Sequence, residues 1–161
     1  MPEVINTEEE KKIWNLLKKV CDPEIPVLTI TDLGIVRGVK LNGDEVEIII
    51  TPTYTGCPAM DMISMNIKLA LIENGYHKIK ITSVLAPAWT TDWMSEAGKT
   101  KLKEYGIAAP DKRFTIPVDG VECPLCNSTN TKLISEFGST ACKALYQCND
   151  CKEPFDFFKC H

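Results

Sequence analysis

Two Cys-x-x-Cys pairs, Cys123-Pro124-Leu125-Cys126 and Cys148-Asn149-Asp150-Cys151, carry the strongest chemical signal in the chain. Each pair can grip one tetrahedral ion from a tight turn. The segment between them, Asn127 to Gln147, is long enough to fold as a small ribbon of strands. Thiolates at ~2.3 Å are the usual shell of structural zinc, and iron competes for the same sulfur tetrahedron. Four thiolates leave no position open to a substrate, so the spacing predicts support for folding rather than catalysis. A single Cys-x-x-Cys would equally suit a redox dithiol; two at zinc-ribbon spacing make that reading poor. Cys142 and Cys160, with His161 beside the latter, are left over, either for a second site or as small buried hydrophobes.

Cys57 is the other thiol that invites chemistry. It ends the Thr-rich run TPTYTG and precedes Pro58, which suits the first turn of a helix. The helix dipole and free N–H groups there would stabilise a thiolate and lower its pKa. The plainer alternative is a buried or capping cysteine. Thiol catalysis needs a base and an orienting partner, and the first part of the chain offers only His77, beside Lys78 at the start of an expected strand. Metal or cluster binding asks for less: an accessible thiolate and a partner thiol from Cys21, the tail or a second subunit. Asp22, Glu24 and Asp32 cluster in DPEIPVLTITDLGIV, either as a structural turn or as carboxylates near the Cys57 loop. Met60, Met62 and Met65 have helical spacing and fit core or interface filling. Trp89 and Trp93, four apart, could stack on one helix face, in the core or at a partner surface.

The chain of 161 residues has 44% hydrophobic residues, enough for a packed core. Its 18 Lys+Arg against 22 Asp+Glu give a net charge of -4, and no basic stripe is interleaved with aromatics. A nucleic-acid role is therefore not expected. The start, MPEVINTEEEKKIW, lacks the basic and apolar regions of a signal peptide. No apolar run reaches the ~20 residues of a membrane helix. The expectation is a cytoplasmic protein with reduced thiols.

The elements that must position these residues follow from periodicity and punctuation. Thr7-Glu8-Glu9-Glu10 reads as a capping box for a helix over about residues 8 to 20. Asp22 to Pro26, with two prolines, is expected to be a stiff extended connector. Strands at 35–41 and 45–51 flank Asn42-Gly43-Asp44, a tight-turn signal. The second strand, EVEIIIT, reads as the more central. A helix from Pro58 to Asn74-Gly75 leads to a strand at 77–85, making the second and third strands parallel neighbours through a right-handed crossover. A last helix is expected over 91–105, closed by Gly106. The fold class is therefore α+β: a two-layer α/β domain of about three strands and two or three helices, residues 1–118. A small zinc-ribbon-like domain follows at 119–161, with Leu133, Ile134, Phe137, Leu145, Tyr146, Phe155 and Phe157 packed around its metal.

DPEIPVLTITDLGIVRGV, TPTYTGCPAMDMI and LAPAWTTDWMSEAGKTKLKEYGIAAP resemble the MIP18-like (DUF59) iron–sulfur assembly domain family. The tail, VECPLCNS through SEFGSTACKALYQCNDCKEPFDFFKCH, makes the chain similar to the branch that accompanies ring-1,2-phenylacetyl-CoA epoxidase, its D-subunit family. The resemblance covers almost the whole chain. It implies an accessory maturation factor of phenylacetate catabolism rather than an enzyme. The oxygenase it would serve has a diiron catalytic subunit and a reductase with flavin and a two-iron, two-sulfur cluster. The Asp-Pro-Glu region and the cysteine after the Thr-rich loop mark the family, which makes Asp22, Glu24 and Cys57 the implied cofactor-binding residues. The ribbon ligands are Cys123, Cys126, Cys148 and Cys151. The cofactors expected are a structural Zn2+ in the tail and a transient iron–sulfur cluster on the first domain. The expected partners are the epoxidase subunits, above all the iron–sulfur reductase, and a homodimer would supply the ligands that a single Cys57 lacks. The competing reading is a zinc-stabilised scaffold that assembles the oxygenase without handling iron.

Overall fold

The computed structural model describes residues 7–109 and 120–158. The chain gathers into two compact units, Met1–Ser95 and Glu96–His161. The boundary expected at 118/119 lies outside the described residues, as do Cys160 and His161.

The first unit opens with α1, Glu8–Leu17. Glu10 N–H donates to Thr7 Oγ1 and Thr7 N–H to Glu10 Oε2, each at 3.1 Å, which is the capping box that the sequence announces. The helix buries Ile13 and Leu17 and stops short of residue 20. The Lys19 and Val20 N–H groups bond to the Leu16 and Leu17 carbonyls and tighten its last turn. β1, Val36–Asn42, and β2, Glu45–Ile50, form the expected hairpin around Gly43 at φ 66. β3, Lys78–Ser83, runs parallel to β2, and the order β1-β2-β3 puts β2 in the centre. The crossover helix α2, Ala59–Ile72, buries Ala59, Ile63, Ile67 and Leu71.

Two expectations change. Asp22 to Pro26 is a folded turn, not an extended connector. Asp22 Oδ1 accepts the N–H groups of Glu24 at 2.7 Å and Ile25 at 2.9 Å, and Asp22 N–H donates to Leu28 O at 2.8 Å. The returning chain buries Ile25, Leu28, Ile30 and Leu33, apolar area that an extended segment would leave in water. The helix expected at 91–105 is broken into a 3-10 turn at Thr91–Trp93 and α3, Glu96–Glu104. Ser95 N–H donates to Asp32 O at 2.8 Å and Ser95 Oγ–H to Asp32 Oδ1 at 3.0 Å, bonds that take Ser95 out of a helical path.

The second unit contains α3, β4 (Ile107–Ala108), β5 (Thr131–Ser135), β6 (Lys143–Cys148) and β7 (Pro154–Phe158), in a sheet of order β4-β7-β6-β5. Its core gathers Val121, Cys123, Ala144, Tyr146, Cys148, Phe155 and Phe157. Tyr146 stacks on Phe155 at 5.9 Å and meets Phe157 edge-on at 5.7 Å. Leu133, Ile134 and Phe137 do not join this core but are exposed. β5 is the outer strand, and its register slips between Leu133 and Ser135, so these side chains have no second layer to enter. Three helices and two small sheets among the described residues bear out the α+β class.

Candidate metal centre and thiol site

The Sγ atoms of Cys123, Cys126, Cys148 and Cys151 all lie within 4.8 Å of one another. Cys123 and Cys151 are 3.8 Å apart and Cys126 and Cys148 3.6 Å. A tetrahedron of sulfurs ~2.3 Å from a central zinc has edges of about 3.8 Å, so both the donor set and its spacing fit that ion. The two turns are built alike. Each places a positive-φ residue directly after its second cysteine, Asn127 at 63 and Lys152 at 66. In each the first cysteine donates its N–H five residues on, Cys123 to Ser128 O at 2.8 Å and Cys148 to Glu153 O at 3.0 Å.

Backbone N–H groups of Cys151 and Asp150 also point at Cys148 Sγ and bring that thiol down to about 7. Cys126 and Cys151, despite the backbone N–H groups of Ser128 and Glu153, are held up by burial and by hydrogen bonds to neighbouring thiols, so a metal must displace their protons. Asp150 ties the turns together, accepting from Ser128 Oγ–H and, at 3.2 Å, from Asn130 Nδ2–H. Bound there, zinc would hold the ribbon together through four protein ligands, with no position for substrate. Cys142 is outside this group; it is buried, with its Sγ 3.0 Å from Thr140 Oγ1. Asn127, Lys152 and Asp150 are the residues that sequence reasoning missed. Their signal is positional: Asn and Lys following the second cysteine, and an acid inside the second turn.

The thiol site lies at the other feature of the sequence, the exit from β2. Thr51 N–H donates to Ile35 O and Val84 N–H to Ile50 O, both at 2.9 Å. The loops after β2 and β3 therefore gather at the carboxyl ends of the parallel pair, where open α/β sheets form their crevices. Gly56, at φ 80, turns the chain into Cys57. Cys57 N–H donates to Tyr54 O at 3.3 Å, and Cys57 O accepts from Met60 N–H at 3.2 Å. The thiol is half-buried, and its pKa is raised rather than lowered as expected. Burial pushes it up, the Ala59 N–H and Tyr54 hydroxyl pull it down, and the Glu24 and Asp22 carboxylates push it up again.

The fold thus brings Asp22 and Glu24 within electrostatic reach of Cys57. Asp32 instead serves the 3-10 segment through Ser95 and the preceding turn through Thr29 N–H, at 3.2 Å. Cys21 is exposed, its backbone bridged to Thr29. His77 precedes Lys78, which pairs with Glu45 at the start of β2. It is at the far end of the sheet, the length of α2 away, about 21 Å for 14 residues at 1.5 Å each. No described histidine serves Cys57 as a base. The only described group of three or more metal-ligating side chains is the ribbon's.

The two tryptophans part company as well. Trp89 is buried and donates from Nε1 to Leu33 O at 2.7 Å, whereas the Arg37 guanidinium lies 3.5 Å over the Trp93 ring. Arg37 sits at a register shift in β1, which sequence reading gave no reason to notice.

Comparison with known proteins agrees with both halves. Residues 10–75 match the family described as Iron-sulfur cluster assembly protein, and residues 109–159 the PaaD zinc beta ribbon domain. The chain is 52% identical over 152 residues to the Escherichia coli K12 protein named as the D-subunit of a "Putative 1,2-phenylacetyl-CoA epoxidase", covering 92% of each. It is 35% identical to a Porphyromonas gingivalis protein named Fe-S protein maturation auxiliary factor, over 62% of this chain and 94% of the relative. A crystal structure of a DUF59 domain from Bacillus anthracis superposes with a TM-score of 0.54 at 31% identity, covering 58% of this chain and 90% of that one. The chain belongs to the DUF59/MIP18-like iron–sulfur cluster assembly family, in the form that carries a PaaD zinc beta ribbon.

Proposed function

We propose that the chain is a non-catalytic maturation factor of a phenylacetyl-CoA epoxidase, working in the cytoplasm on the epoxidase's iron–sulfur reductase. Its first part receives an iron–sulfur cluster as cargo through Cys57 and passes it on. Asp22 and Glu24 shape the cargo site, and the ribbon, stapled by zinc on Cys123, Cys126, Cys148 and Cys151, serves as the docking module. The observation that carries this reading is the convergence of Asp22, Glu24 and Cys57 at one sheet end, where the two carboxylates act on the thiol. The names of the relatives, an epoxidase component and an iron–sulfur maturation factor, support the pathway and the cargo. A half-buried thiol with a raised pKa suits a site that stays protonated until a metal displaces the proton, and suits unassisted nucleophilic catalysis poorly.

The exposed Leu133, Ile134 and Phe137 on the ribbon favour a second reading, a scaffold that holds epoxidase subunits without touching iron. Transfer separates the two. Wild-type protein reconstituted anaerobically with iron and sulfide is expected to load an apo reductase, followed by the reductase's visible spectrum and electron-transfer activity, and Cys57→Ser is expected not to. Equal transfer by both removes Cys57 from the account. Binding to the subunits with no transfer by either leaves the scaffold.

A further inference from the structure

Helix α2 carries two apolar stripes, and its own domain covers only one of them. Ala59, Ile63, Ile67 and Leu71 are buried. Met62, Met65, Leu69 and Ile72 are 49%, 57%, 50% and 46% exposed. At ~100° per residue the centres of the two stripes lie about 160° apart, so the exposed one faces away from the core. A helix that is apolar on both sides is normally covered on both. The spacing of the exposed stripe, three, four and three residues, is that of the a and d positions of a coiled coil, the narrow seam that accepts another helix. Asp61 and Lys68 then occupy g positions, and Asn66 and Glu73 e positions.

We propose that this seam is a homodimer interface, where α2 of a second copy lies parallel along Met62, Met65, Leu69 and Ile72. Parallel pairing sets Lys68 of each copy against Glu73 of the other, two opposite-charge pairs flanking the seam. Two heptads bury less than the ~800 Å² per partner of a standard interface, so the dimer is weak and concentration-dependent. The parallel orientation rests on the reading of Cys57 given above: it brings both Cys57 loops to one end of the pair, where two thiols would share one cluster.

Association is read on cluster-free, zinc-loaded full-length protein by sedimentation velocity, over concentrations up to about 1 mM. Leu69→Glu and Met65→Lys, with folding checked by zinc content and circular dichroism, are expected to weaken the dimer about tenfold or more. Glu73→Lys should also weaken it, and adding Lys68→Glu should restore it. A short bismaleimide should link Cys57 to Cys57, identified by peptide mass spectrometry. A monomer at every concentration, or a dimer indifferent to both seam variants, overturns the interface. A seam-dependent dimer that tolerates Glu73→Lys and gives no Cys57 link overturns the parallel arrangement. Because the association is measured without a cluster, its failure is distinguishable from failure of cluster transfer.

Discussion

Cys57 is where opposing local effects can be weighed. The start of α2 offers its thiolate the Ala59 N–H and, with Tyr54, a second donor; burial and two carboxylates oppose them and win. The alkylation rate of Cys57 with iodoacetamide, resolved by peptide mass spectrometry, should therefore rise with pH about a midpoint above that of an ordinary thiol. Removing one negative charge must lower a raised thiol pKa, so Glu24→Gln should shift the midpoint down. A wild-type midpoint below the ordinary value, or an upward shift in Glu24→Gln, contradicts the assignment. The position of Cys57 at a helix start was legible because Gly56 and Pro58 are local punctuation. The direction of its pKa shift was not, because it depends on burial and on carboxylates from a turn distant in the chain. The same holds for Asp32, whose partner Ser95 is reachable only through the fold.

At the scale of elements, what was legible followed short-range rules: the Thr7 capping box, the Asn42-Gly43 hairpin, the central β2 and the α2 crossover. What was not legible came from contacts that override local propensity. The Asp22 turn forms because its carboxylate captures two N–H groups and its apolar residues find a core. The helix at residue 94 breaks because the segment packs on the turn at Gly34. A Cβ at Gly34 would stand 2.4 Å from Trp93 O, and its φ of 73 is itself unfavourable for an L side chain. Gly43, at φ 66, has nothing within 4 Å. Gly34→Ala should thus cost more than about 2 kcal/mol, combining strain and clash, and Gly43→Ala only about 1 kcal/mol. Urea midpoints of the two variants measure this, and equal losses would contradict the close packing of Trp93 on Gly34.

For the whole molecule, the two units are stabilised by different means. The first has a conventional apolar core around the three-stranded sheet. The second centres its core on Tyr146, Phe155 and Phe157 beside the buried Cys123 and Cys148, and in a segment this small a metal on the four-cysteine cluster would act as the staple. The cysteine spacing made the ribbon and its four-thiol cluster legible, whereas the pairing of β4 with β7 depends on a distant partner that no local pattern announces. Removing the metal with a chelator under reducing conditions should abolish amide-exchange protection in β5, β6 and β7 and spare β1, β2 and β3. Lowering the pH should do the same as thiolates take up protons and release the ion. Loss of protection in both sheets together would contradict independent stabilisation. If zinc sits on the ribbon and the iron–sulfur cargo on Cys57, then zinc, iron and sulfide analysis with Mössbauer spectroscopy on anaerobically purified full-length protein and its Cys57→Ser variant should find zinc in both and iron with sulfide in the wild type only. Iron and sulfide undiminished in Cys57→Ser would contradict that placement of the cargo.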